Sequence, residues 1–116
     1  MFAFEIPGAR FSLPAGGAVA LHRFVSVGAT GAVQGNASNK IIGVSMNEVT
    51  ADELAANERI IEIADGLVMV EAGGAITAGA AVSSNADGKA IAGDTNPCGV
   101  AITSATGDGQ LITVKI

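Results

Sequence analysis

The block Ala15-Gly16-Gly17-Ala18-Val19 returns 57 residues later as Ala72-Gly73-Gly74-Ala75-Ile76. The same offset relates Val25-Ser26 to Val82-Ser83, Gly31 to Gly88 and Asn39 to Asn96. After one deletion Gly43-Val44-Ser45 aligns with Gly99-Val100-Ala101, and Ile60-Ile61-Glu62-Ile63 matches Leu111-Ile112-Thr113-Val114 across a connection of different length. Blocks that recur in one order describe an internal duplication: two units, about 15–71 and 72–116, preceded by an N-terminal arm at 1–14. At 116 residues both units belong to a single domain.

Each unit reads as short strands parted by glycine turns. Leu67-Val68-Met69-Val70 stops at Gly73-Gly74, Ala75-Ile76-Thr77 at Gly79, and Ala81-Val82-Ser83 at Asp87-Gly88. An Asp-Gly pair between apolar runs is a hairpin signal, because a type I′ turn needs positive φ at both central residues, and Lys89-Ala90-Ile91-Ala92 is then the return strand. Gly99 to Thr103, a turn at Gly107-Asp108-Gly109, and Leu111 to Ile116 complete the unit. Roughly ten such strands predict an all-β fold, a small barrel or sandwich, since closure or sheet packing hides short edges. One helix interrupts the pattern near 50–57, where Thr50 and Glu53 form a capping box.

Composition restricts the chemistry. Eleven acidic and six basic residues give a net charge of −5, with the cations scattered from Arg10 to Lys115, so a nucleic-acid backbone is not an expected partner. There is no Trp or Tyr, and only one His and one Cys, which points away from catalysis. The lone Cys98 has no disulfide partner within the chain, and a reducing compartment is the default. The longest uncharged run, Ala72 to Ala86, is glycine-broken and too short to span a bilayer, so no membrane partner is expected. Residues 11–21 mimic a secretion signal only loosely, since Pro14-Ala15-Gly16-Gly17 interrupts them.

Individual polar residues carry bland readings. His22, placed beside Arg23 on an expected strand, lacks a second ligand nearby, and no metal is expected. Cys98 reads as a buried, inert thiol, and Asp52, Glu53, Glu58 and Glu62 as a solvated acidic face without calcium-loop spacing. The glycine-rich segments lack the spacing and the Lys-Ser/Thr ending of a phosphate-binding loop, and no cofactor is expected.

The blocks Gly66 to Val82, Asp87-Gly88-Lys89-Ala90 and Cys98-Gly99-Val100-Ala101 resemble the capsid decoration, or cement, proteins of tailed bacteriophages. The resemblance covers about residues 15–116 and rests on turn-and-strand patterns. It implies a β-rich structural virion protein, not an enzyme, made in the host cytoplasm. It further implies a homotrimer at three-fold and pseudo-three-fold sites on the outer capsid surface, clamping neighbouring major capsid protein subunits.

The N-terminus points to interaction on its own account. Phe2, Phe4 and Ile6 alternate with Ala3 and Glu5, giving an extended segment with one apolar face, and Phe11 follows Pro7-Gly8. Leaving three Phe and one Ile in water forfeits about 6 to 12 kcal/mol of burial, an upper bound comparable to the stability of a domain. Phe2, Phe4, Ile6 and Phe11 are therefore candidate capsid or protomer contacts, or else the first strand of the chain's own sheet. The alternative function is a biotinyl- or lipoyl-like carrier domain, in which Lys89 would be the acylated residue, or a β-module of another assembly. Lys89 lacks the Met-Lys-Met setting of biotinylation, and Gly88 departs from the Asp-Lys-Ala arrangement of lipoylation.

Overall fold

The computed structural model describes residues 2–56 and 59–116. Nine strands and one short helix follow in the order β1 (Ile6–Pro14), β2 (Phe24–Gly28), β3 (Gly31–Gln34), β4 (Gly43–Ser45), α1 (Ala51–Ala56), β5 (Ile60–Glu71), β6 (Ala81–Ser84), β7 (Ala90–Ala92), β8 (Gly99–Ala101) and β9 (Leu111–Lys115). They form one curled antiparallel sheet in the order β3-β2-β4-β5-β9-β8-β6-β7, with β1 alongside β5. The fold is all-β.

The strand order reads almost alike from both ends, and the register gives the reason. Five consecutive pairs, from Arg10↔Ala64 to Pro14↔Ile60, have counterparts from Leu67↔Lys115 to Glu71↔Leu111. Val44↔Ala64 corresponds to Val100↔Lys115, and the isolated bridge Val19↔Val49 to Ile76↔Ala105. Main-chain bonds recur likewise: Gly35 N donates to Phe24 O as Gly93 N does to Ala81 O, and Ile42 N to Val25 O as Cys98 N does to Val82 O. Asn96 Nδ2 also donates to the carbonyl of Asn39, its own counterpart, at 3.1 Å.

Packing follows the same correspondence. One apolar cluster consists of Val19, Val25, Ala32, Val49, Ile61 and Ile63. Their six counterparts, Ile76, Val82, Ala90, Ala105, Ile112 and Val114, lie together in a second, larger cluster, which also takes Phe24, Val44 and Ala64 from the first half. Phe24 is the one fully buried aromatic side chain among the described residues.

β5 belongs to both halves. Ile61 and Ile63 enter the smaller cluster, whereas Ala64, Val68 and Val70 enter the larger one. Odd and even positions of a strand point to opposite faces, so the strand changes the face it buries around Asp65-Gly66. Opposite this point β1 carries a bulge between Pro7 and Arg10, and Asp65 Oδ1 accepts from Ala9 N at 2.8 Å. Gly66 has φ +88°, and a Cβ there would stand 2.5 Å from Gly8 N, so only glycine fits.

Three sequence expectations change in detail. Ile60 to Ile63 and Leu67 to Val70 are one strand of 12 residues rather than two. Ala75 to Thr77 forms only an isolated bridge at Ile76. Helix α1 spans Ala51–Ala56, while position 57 of the expected 50–57 helix lies outside the described residues. Its capping box is present, with Glu53 N donating to Thr50 Oγ1 and Thr50 N to Glu53 Oε1, each at 3.2 Å.

Candidate functional site

Residues 6–14 pair along β5 of the same chain, yet Ile6 and Phe11 remain open to solvent. Phe2 is 95% exposed, Ile6 63% and Phe11 38%; Phe4 is half-buried. Because β1 has β5 on one side only, its apolar residues gain burial from one neighbour where an interior strand would gain it from two. Phe11 opposes Ile63, and Leu13, opposite Ile61, packs against the smaller cluster. Phe2 and Phe4 precede the strand.

What fixes this N-terminal segment is a residue that sequence reasoning did not single out. Thr113 Oγ1 accepts from Phe4 N at 2.7 Å and donates to Phe4 O at 2.6 Å. Thr113 is fully buried, and its own N–H is satisfied by Thr103 Oγ1 at 2.9 Å. The next residue, Glu5, brings Oε1 to 3.9 Å from His22 Nδ1, beyond hydrogen-bond range. Both atoms are buried without a partner, as is Arg23 Nε.

His22 lies in a turn before β2 rather than on the expected strand, with φ +58°. Its counterpart is Gly79, at φ +92°. The left-handed conformation that glycine adopts freely is thus imposed on a histidine in the first half. Backbone ties hold it there, since His22 N donates to Ser45 O and Glu71 N donates to His22 O.

A second polar cluster joins the halves. Lys89 Nζ lies 2.9 Å from Glu71 Oε2 and 3.0 Å from Asp108 Oδ1, while Arg23 Nη2 lies 3.4 Å from Glu71 Oε1 and Arg23 Nη1 donates to Asp87 O. The hydrogen bond from Lys89 holds the Glu71 carboxyl below its ordinary value against the opposing effect of burial, with Arg23 assisting. Hydrogen bonds to Glu71 and Asp108 raise Lys89 in turn. The Lys89 side chain is only 18% exposed and its amine is held between two carboxylates, unlike the free hairpin-tip amine that a carrier domain presents. Burial pushes the half-buried Cys98 thiol up, away from the reactive thiolate.

Among the described residues no three His, Cys, Asp or Glu side chains are grouped to hold a metal ion. Of the acidic residues read as one face, Asp52 and Glu62 are exposed and Glu53 is engaged in the cap; Glu58 lies outside the described residues. Among the described residues no helix is long and apolar enough to cross a membrane. The residues that distinguish this surface are therefore apolar and main-chain in character.

Comparison with known proteins agrees with that character. No curated protein matches the chain. Among solved structures, the chain is similar to the N base of the head fiber protein gp8.5 of bacteriophage phi29, with a TM-score of 0.72 at 21% identity, over 93% of this chain and 92% of that one. The model of a family described as phage cement protein matches residues 6–116, which takes in every strand from β1 to β9. Nearly the whole chain is matched, and the protein belongs to the phage cement protein family, a family of capsid-associated structural proteins rather than enzymes.

Proposed function

We propose that this protein decorates the outer surface of a phage head and stabilises it by clamping neighbouring major capsid protein subunits, as a homotrimer at three-fold and pseudo-three-fold positions. The observation that carries the reading is the apolar N-terminal surface: Phe2 and Ile6 stand in solvent beside a segment that is itself fixed to the body through Thr113. Burying a side chain of that size against a partner contributes about 1.5 to 3 kcal/mol, and many copies spanning subunit boundaries make modest contacts effective together. Likeness to the base of a head fiber supports placement on the outside of the head. The recurrence of ladders and core positions supports two copies of one unit, with residues 10–14 of the first answering to 67–71 of the second, rather than bounds at 15–71 and 72–116. Residues 6–14 are then less a free arm than a docking edge attached along β5.

A protein that binds only the assembled shell stabilises it by mass action. Co-sedimentation with undecorated, expanded capsids tests this directly, with bound copies counted per capsid subunit. Saturation near one copy per subunit is the expected result, and a protein that stays in the supernatant would end the proposal.

A further inference from the structure

The two halves bury equivalent ladders unequally. In the second half Met69 opposes Thr113 on the face turned away from Val68, Val70, Ile112 and Val114, and the main chain of Phe4 covers that face. Thr113 is fully buried as a result. The corresponding pair in the first half is Ser12↔Glu62, both exposed. There Arg10, Phe11, Ser12 and Glu62 line a notch of ≈ 140 Å³. Arg10, Phe11, Ser12 and Glu62 are the register counterparts of Leu67, Val68, Met69 and Thr113. The notch is thus the same seat, open where its counterpart is filled.

We infer that this notch receives an extended polypeptide segment of the capsid partner, seated as Phe4 is seated on Thr113; the inference rests on the capsid-docking reading above. The chemistry of the seat supports a peptide backbone. The Thr113 hydroxyl accepts an N–H and donates to a C=O. In the notch these roles are divided: the Glu62 carboxylate accepts an N–H, and the Ser12 hydroxyl or the Arg10 guanidinium donates to a C=O. Bonds to the Glu62 carboxylate and the Arg10 guanidinium are stronger than those of a hydroxyl. The chain's own Phe4 is committed to Thr113, and the segment in the notch is assigned to another molecule. A second copy of this chain, with net charge −5, would bring further negative charge toward Glu62, whereas a neutral or basic capsid segment would not.

The test compares wild-type protein, Ser12→Trp and Glu62→Lys for co-sedimentation with undecorated capsids, alongside their thermal midpoints. Ser12→Trp fills the notch and Glu62→Lys reverses its acceptor, and each is expected to weaken binding by about tenfold or more with an unchanged midpoint. Wild-type and Ser12→Trp proteins that bind equally overturn the notch while leaving capsid docking intact. Wild-type protein that fails to bind overturns the docking reading itself. A Ser12→Trp protein that binds capsids normally but alters the solution mass assigns the notch to a second copy, also overturning the inference. Should either variant fail to fold, hydrogen exchange of wild-type protein decides: new protection across residues 10–13 on docking is expected, and its absence overturns the inference.

Discussion

Thr113 and Phe4, 109 positions apart in the chain, exchange two hydrogen bonds through a single hydroxyl, at 2.7 and 2.6 Å. The donor and acceptor capacity of one buried side chain therefore does the work of a ladder rung for a segment that is not a strand. Thr113→Val keeps the shape and removes both bonds. It is expected to lower stability by about 1 to 2 kcal/mol in urea unfolding. Rapid hydrogen exchange at Phe4, with β9 still protected, would show that residues 2–5 have come free.

Phe2 presents the opposite case. Its side chain touches solvent almost everywhere, so Phe2→Ala is expected to change stability by no more than about 0.5 kcal/mol. Capsid binding should fall by about tenfold or more, the equivalent of one apolar side chain left unburied. A variant that binds like wild type would remove Phe2 from the interface.

Glu71 makes stability depend on pH. Its folded pKa lies below the ordinary 4.5, so its contribution is complete above 4.5 and is lost as pH falls through the lowered folded value. Lys89, raised above 10.5, contributes fully below 10.5 and loses its contribution as pH rises through the raised value. Unfolding midpoints in urea are expected to fall on acidification below about pH 4.5 more steeply in wild type than in Glu71→Gln. Equal slopes would show that the cluster with Lys89 and Arg23 does not contribute.

Gly66→Ala places a methyl group 2.5 Å from Gly8 N at a positive φ. The expected cost is about 2 kcal/mol or more, since neither strand can shift without disturbing the bulge. A thermal melt is sufficient to measure it. Gly74→Ala, with open space around the glycine, is the comparison and should cost far less.

Cys98 should react slowly with iodoacetamide at neutral pH in the folded protein and quickly in denaturant. Burial raises its pKa and reduces the thiolate fraction. Fast labelling of the native state would contradict its half-buried placement.

Much of the sheet was readable because glycine and Asp-Gly pairs punctuate it. Asp87-Gly88 does close a hairpin between β6 and β7, but only Gly88 takes positive φ (+75°), so the turn is not the expected type I′, and Asn85 Oδ1 accepts from Asp87 N and Lys89 N. The offset visible at Ala15 and Ala72 also places those residues in matching bridges, Ala15↔Ala32 and Ala72↔Ala90. The continuity of β5 was hidden for a physical reason: Gly66 serves a bulge opposite Gly8, and the change of buried face there breaks the simple alternation by which a 12-residue strand is recognised.

The candidate surface was legible in part. Alternating Phe2, Phe4 and Ile6 marked an apolar segment, but periodicity could not say that Thr113 would hold it. That pairing depends on a hydroxyl brought alongside by the fold, and a threonine in a β-branched run looks like any other strand residue. His22 was equally opaque, since its left-handed backbone is seen only by comparison with Gly79.

The shared strand β5 has a mechanical consequence. Two domains joined by a linker can be peeled apart at the joint, one hydrogen bond after another. Here one strand passes from one half into the other, paired with β1 over its first part and with β9 from Leu67 to Glu71. A pull that tries to part the halves is borne by covalent bonds in tension and by ladders loaded lengthwise, all at once.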